Sequence, residues 1–164
     1  MSDFVRTVAV SDTHHNRKAL IEIARCYADM RYLFHLGDNI RDAHYLADHM
    51  PNTTVISVRG NGDWGADEPE NEIVTIKGRR IVLTHGHLFH VKFGYDRLEA
   101  YGREVNASAV LFGHTHMPYM HNDGGMWLIN PGSAGEPRDG RPTVAVILIG
   151  EAGLVPKLIA LQRC

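Results

Sequence analysis

A chain of 164 residues, 44% hydrophobic and 22% charged, can bury one sizeable core and is short for two, so a single domain spanning residues 1–164 is expected. Its net charge of −2 lacks the basic excess of a protein that coats nucleic acid. No apolar run approaches the roughly 20 residues of a membrane span, which excludes a membrane-inserted class.

The N-terminus enters an apolar run without the basic start and small-residue cleavage site of a secretory signal, so a cytoplasmic location is expected. Cys26 and Cys164 offer neither a disulfide framework nor a C-x-x-C spacing, and a reducing compartment agrees with that.

In chain order, FVRTVAV at 4–10 predicts a buried strand. A helix follows, with Asn16 as its cap and Leu20, Ile21, Ile23, Ala24 and Tyr27 at helical spacing. YLFHL at 32–36 predicts a second strand; Ala43, Leu46, Ala47 and Met50 a second helix ending before Pro51; and TTVISV at 53–58 a third strand. Strand alternating with helix predicts a parallel sheet with right-handed crossovers.

Beyond it, NEIVTI and RRIVLT around Lys77-Gly78 predict a hairpin, 95–105 a helix, and SAVLF at 108–112 a buried strand. Two more hairpins are predicted, MPYMHN with MWLIN around 123–125, and TVAVILI with LVPKLIAL around 150–153. This half is expected to be mostly antiparallel, giving two sheets in all.

Five apolar runs end directly in a polar turn: VAV-SDTHHN, LFHL-GDN, VISV-RGNGD, IVLT-HGH and VLF-GHTH. In open α/β sheets the ligand crevice lies beyond the carboxyl ends of the strands, so these turns can converge. They supply Asp12, Asp38 and Asp63, Asn61, and His14, His85, His87, His114 and His116. Oxygen and imidazole donors without thiolate suit Mn2+, Fe2+ or Zn2+. Alternate residues of an extended segment face one way, so D-x-H and H-x-H each aim two donors at one point. Taken singly, each motif also fits ordinary capping or turn chemistry; the ordered set is what points to a metal site.

These residues resemble the calcineurin-like metallophosphoesterases, and among them the YfcE-type small phosphodiesterases. The marks are S-D-T-H at 11–14, G-D-N at 37–39, G-N-G-D at 60–63, H-G-H at 85–87, G-H-T-H at 113–116 and N-P-G-S at 130–133. The resemblance implies a four-layer α/β/β/α sandwich of two mixed sheets and two divalent metal ions per chain, Mn2+ first, with Zn2+, Ni2+ or Fe2+ as alternatives. One ion would be held by Asp12, His14, Asp38 and His116 and the other by Asp38, Asn61, His85 and His114. A hydroxide bridging the ions would hydrolyse a small phosphodiester, so the substrate expected is a small phosphate ester or nucleotide-like molecule.

Asp63 and His87 are carried as catalytic candidates outside the ligand set, Asp63 as a residue that orients its neighbours and His87 as a contact to leaving-group oxygen. Asn61, Gly62 and His87 are candidate substrate contacts. Many relatives have His or Cys where this chain has Gly62, which leaves the general acid unassigned. N-P-G-S is given no catalytic role. Trp64 and the acidic stretch 67–72 form either a lip over the cleft or a solvated loop, and Arg41 and Arg59 either meet phosphate or are surface residues.

The alternative function is a non-catalytic protein-binding scaffold on the same fold, a role known for a retromer subunit of this family; degraded ligands would mark it, and all seven positions here hold competent ones. The H-x-H-x-D-H cluster of β-lactamase-fold hydrolases and the H-E-x-x-H helix of zinc proteases are absent. A nucleic-acid polymer is a poor substrate for a surface without a basic stripe. The apolar last strands suit a homo-oligomer edge or simple core equally.

Overall fold

Successive side chains of a strand point to opposite faces, and the central strands here are apolar on both, so each sheet must be covered twice. The computed structural model describes residues 3–138 and 140–164. One five-stranded sheet runs in the order β10 (Gly153–Ala160), β9 (Thr143–Gly150), β1 (Val5–Val10), β2 (Tyr32–His35), β3 (Thr54–Ser57). The other runs β4 (Asn71–Ile76), β5 (Arg79–Thr84), β6 (Ala109–Leu111), β8 (Met126–Asn130), β7 (Tyr119–Asp123).

Ala9, Phe34 and Ile147 of the first sheet meet Ile81, Leu83, Leu111 and Ile129 of the second in a central core. On the first sheet's outer face Val8, Val10, Leu33 and Val144 pack on α1 (Arg17–Cys26) and α2 (Ile40–His49) through Leu20, Ile23 and Leu46. On the second sheet's outer face Val82, Val110 and Leu128 pack on Leu98 of α3 (Asp96–Glu104). The layers are helices, sheet, sheet, helix: the four-layer sandwich expected from the resemblance.

α1 begins as predicted, with Asn16 Oδ1 accepting the Ala19 amide at 3.1 Å. The strand pairing sharpens three expectations. The last hairpin does not extend the second sheet: β9 pairs antiparallel with β1 of the first, because Ala145 and Ile147 belong in the core between the sheets. The second half is mostly antiparallel, as expected, but not wholly so, since β6 lies parallel to both β5 and β8. And the run 53–58 is an edge strand, of which Val58 is fully buried while Thr54 is exposed.

The cysteines differ too. Cys26 and Cys164 form a disulfide with their Cα atoms 5.6 Å apart. After β10 the chain turns back along α1, with the Leu161 amide bonded to the Pro142 carbonyl at 2.8 Å and the Leu161 side chain in the α1 core. A separation of 138 residues concealed that neighbourhood in the sequence. Among the described residues no helix is long and apolar enough to cross a membrane. β10 forms an edge of its sheet with Val155 half exposed.

Candidate metal centre

The parallel strands β1, β2 and β3 of one sheet and β5, β6 and β8 of the other all end at one rim. The loops that leave them are held in left-handed backbone: φ is +52° at Asp12, +45° at His14, +60° at Asp38, +74° at His114 and +61° at His116. Non-glycine residues pay for that conformation, and it persists where surrounding bonds impose it, commonly at functional sites. Here glycines let the backbones close around the carboxylates. A Cβ on Gly60 would lie 2.2 Å from Asp38 Oδ1, and one on Gly113 would lie 2.0 Å from Ser11 Oγ and 2.9 Å from Asp12 Oδ2.

Asp12 is fully buried. Its Oδ2 accepts the Ser11 hydroxyl at 2.6 Å and the His114 amide at 3.0 Å. Its Oδ1 has no hydrogen-bond donor, yet three imidazole Nε2 atoms surround it, His116 at 3.3 Å and His14 and His85 at 3.8 Å. Asp38 Oδ2 lies 3.5 Å from His85 Nε2 and 4.0 Å from His14 Nε2. The imidazoles also meet in pairs, His14 Nε2 with His116 Nε2 and His114 Nδ1 with His85 Nε2, both at 3.2 Å.

Backbone carbonyls decide which nitrogen carries the lone pair. His116 Nδ1–H donates to the Glu136 carbonyl and His85 Nδ1–H to the Leu36 carbonyl, each at 2.7 Å, so in both neutral rings Nε2 is bare and faces the cluster. An unpartnered buried carboxylate oxygen among lone pairs so fixed fits a cation. Two donor groups can hold one: Asp12 with His14 and His116, and Asp12 with Asp38 and His85. Asn61 is exposed on the next turn and lines a cleft with Trp64 and His87.

The charges respond to this crowding. Burial alone would raise the Asp12 carboxyl, but His116, His14, His85 and the Ser11 hydroxyl outweigh it and hold it well below the usual carboxylate range. Asp38 is likewise lowered, with His85 outweighing burial. Asp12 in turn raises His14 and His116. His85 is raised although burial opposes it, because Asp38 and Asp12 prevail, and burial lowers His114 to about 4.

Raised imidazoles keep protons that a cation must displace. Metal affinity should therefore climb as pH rises through the raised values of His14 and His116 and level off above them. The same shift means that the imidazolium pairs stabilise the metal-free protein below about pH 6.5 and that this support is lost as pH rises through the raised values. Melting the stripped and the Mn2+-supplied protein between about pH 5.5 and 8.5 should show a gap that widens with pH; a constant gap would rule out proton displacement at these rings.

Asp63, carried as a catalytic candidate that orients its neighbours, is engaged by backbone amides. Its Oδ2 accepts the amides of Asp38 (2.9 Å) and Gly60 (2.8 Å), and its Oδ1 those of Asn39 (2.8 Å) and Ile40 (2.9 Å). It thus caps α2, whose own N-cap Asn39 makes no side-chain bond. The His87 ring centre lies 5.5 Å from that of His85, its Nδ1 is buried without a partner, and burial lowers its basicity. Gly62 donates its amide to Asp38 Oδ1 at 3.0 Å. Arg59 is occupied by the Ala66 carbonyl and Glu70, each at 3.2 Å, which makes it a brace for its own turn.

Sequence reasoning passed over two supports. Thr13 Oγ1 donates to Asp42 Oδ2 at 2.5 Å and accepts from His35 Nε2 at 2.9 Å, while Asp42 also takes the His15 amide at 2.9 Å. Burial lowers His35 to about 4, so it sits there neutral. N-P-G-S is the loop that follows β8 at the same rim. Ser133 Oγ donates to the Asp12 carbonyl at 2.7 Å, and Asn130 Nδ2 reaches the Gly113 carbonyl at 3.2 Å and Thr115 Oγ1 at 3.0 Å. A turn motif at the end of an apolar run was the available signal, the same one that found the other five loops.

Carboxylates and imidazoles gathered at the rim of two facing sheets define a metallohydrolase type of site. The family model for the calcineurin-like phosphoesterase superfamily domain matches residues 5–152, and the chain belongs to that superfamily. A probable metallophosphoesterase of Methanothermobacter thermautotrophicus is 30% identical over 156 residues, 92% of this chain and 89% of that one. The phosphodiesterase YfcE of Escherichia coli is 38% identical over 98 residues, 54% of this chain and 48% of its own. Among solved structures, a predicted phosphoesterase of Streptococcus pneumoniae superposes with a TM-score of 0.84 at 26% identity, covering 99% of this chain and 93% of that one. The chain is thus a phosphoesterase-family hydrolase with candidate ligands for divalent metal.

Proposed function

We propose that this chain is a single-domain, cytoplasmic phosphodiesterase that uses two divalent ions, Mn2+ before Zn2+, Ni2+ or Fe2+. Asp12, His14, Asp38 and His116 would hold one ion, and Asp38, Asn61, His85 and His114 the other. When bound, such a pair supplies Lewis acidity toward phosphoryl oxygens and a water acidified enough to serve as nucleophile. In the cytoplasm the Cys26–Cys164 pair would be reduced.

The carrying observation is the buried, unpartnered Asp12 Oδ1 surrounded by three imidazole nitrogens. The chain's own part is to hold these donors before substrate arrives. Ser11 and the His114 amide fix the Asp12 carboxylate, Gly62 and Asp63 fix Asp38 and its loop, and carbonyls fix two ring tautomers. Two carboxylates against four imidazoles and one amide leave a loaded site cationic, which favours an anionic ester. Asn61 and His87 border one of the two clefts in which the ester would lie, and Gly62 the other. The complete ligand set is the reason to prefer catalysis over a scaffold role.

The test is hydrolysis of bis-p-nitrophenyl phosphate beside p-nitrophenyl phosphate by stripped protein resupplied with each ion. Turnover of the diester that returns with metal supports the proposal. No turnover with any ion, despite two bound per chain, would favour the scaffold.

Gly62 brings no proton donor to the leaving group, and His87 is kept neutral by burial. The rate should therefore fall steeply as the leaving-group pKa rises along a series of aryl esters. Gly62→His should flatten that slope. A flat profile in the parent protein would mean that another group already donates the proton.

A further inference from the structure

We propose that Trp64 is a stacking platform for a flat aromatic base, so that the phosphodiesters this site accepts are nucleoside esters; this rests on the phosphodiesterase reading above and narrows its substrate. Trp64 is 94% exposed on the turn that follows Asn61. Burying an indole is among the larger apolar gains open to a side chain, and the fold takes none of it here. Neither neighbour shields the ring: Gly62 and Gly65 stand on either side of the Asp63–Trp64 pair, and a Cβ on Gly65 would meet nothing within 4 Å.

The base of the turn is nevertheless fixed. Asp63 binds four backbone amides, its own amide bonds the Gly60 carbonyl at 3.2 Å, the Ala66 amide bonds the Asp63 carbonyl at 3.3 Å, and Arg59 braces Ala66 and Glu70. A rigid turn therefore presents an uncovered ring, which is the preorganised form of a stacking site.

Its place relative to the candidate ligands gives the ring a use. Two clefts share Trp64 as a wall. One runs past Asn61 and His87, and the other past Asn39, Arg41 and His15. An ester whose phosphate sits at the ligands extends its substituents into these clefts, and so toward the indole.

Charge favours the first cleft for a nucleotide. There Glu70 is paired with Arg59 at 3.2 Å, whereas the second carries Asp67 and Glu68, the latter bonded to His44 at 2.7 Å, against the Arg41 cation. A quaternary ammonium would want rings on several sides, and no other ring contacts Trp64 among the described residues. One open face suits a planar base.

Two substrates with the same leaving group separate base recognition from chemistry: the p-nitrophenyl ester of thymidine 5′-phosphate and ethyl p-nitrophenyl phosphate. The parent protein should favour the thymidine ester in kcat/KM by about tenfold or more, Trp64→Ala should bring that ratio close to one, and Trp64→Phe should keep most of it. A second arm reads binding without turnover, by tryptophan emission of Zn2+-supplied protein. Thymidine monophosphate should quench it saturably and inorganic phosphate should not, and Trp64→Phe, in which Trp127 alone emits, should abolish the response.

Hydrolysis with a ratio near one in the parent, or a ratio that survives Trp64→Ala, overturns the stacking site and leaves the phosphodiesterase standing. Saturable quenching without hydrolysis keeps the base site and removes the phosphodiesterase. Absence of both hydrolysis and quenching overturns the two together.

Discussion

Asp12→Asn should leave a folded protein that no longer retains divalent metal and whose kcat/KM on an aryl phosphodiester falls on the order of a thousandfold. Asn matches the shape of Asp, and its carboxamide oxygen can still accept the Ser11 hydroxyl and the His114 amide. What changes is Oδ1, which becomes an NH2 facing three Nε2 atoms. Where the carboxylate left room for a cation among lone pairs, the amide donates hydrogens to them and fills the role itself. Metal content after gel filtration, read beside thermal melting, checks this. A variant that melts cooperatively but keeps two ions per chain and full activity would show that Asp12 is not a ligand.

Asp63→Ala should act differently. It removes the acceptor for four amides, two of which belong to Asp38 and Asn39, residues held at φ of +60° and +73°. Without that anchor the Asp38 loop can relax toward right-handed backbone, and α2 loses the cap that Asn39 does not supply. A loss of roughly 2–4 kcal/mol in unfolding stability is expected, with metal retention weakened about tenfold to a hundredfold. Excess metal should restore much of the rate, and Asp63→Asn, with one acceptor oxygen left, should fall between. Unchanged stability with activity lost at every metal concentration would place Asp63 in the chemistry instead.

The sandwich and the rim loops were legible because short β-rich runs end abruptly in Asp, Asn, Gly and His, and strand ends are where an α/β sheet delivers function. D-x-H did bring Asp12 and His14 to one point, though through left-handed rather than extended backbone, whereas His114 and His116 part, one toward His85 and the other toward Asp12 and His14. Thr13, His35 and Asp42 were not legible, since a buried polar network joins residues up to 29 apart and leaves no periodic trace. The partner of the last hairpin was equally hidden, because an apolar run states that it is buried and not against what. Asp63 was found by its motif, but its role came only with the four amides. The Cys26–Cys164 pairing depended on the course of the chain after β10, which local pattern does not encode.

The seven candidate ligands divide between the two layers: Asp12, His14, Asp38 and Asn61 leave strands of one sheet, and His85, His114 and His116 leave strands of the other. At this rim the sheets are joined by polar bonds such as that from the His114 amide to Asp12, and at the opposite end by the Arg79 guanidinium on the Glu151 carbonyl of the β9–β10 turn. Ions bound there would act as rivets across a seam. Their removal would cost the seam its strongest clamps and leave the working end to hydrogen bonds such as Ser133 Oγ on the Asp12 carbonyl, so that end should be the first to loosen on metal depletion.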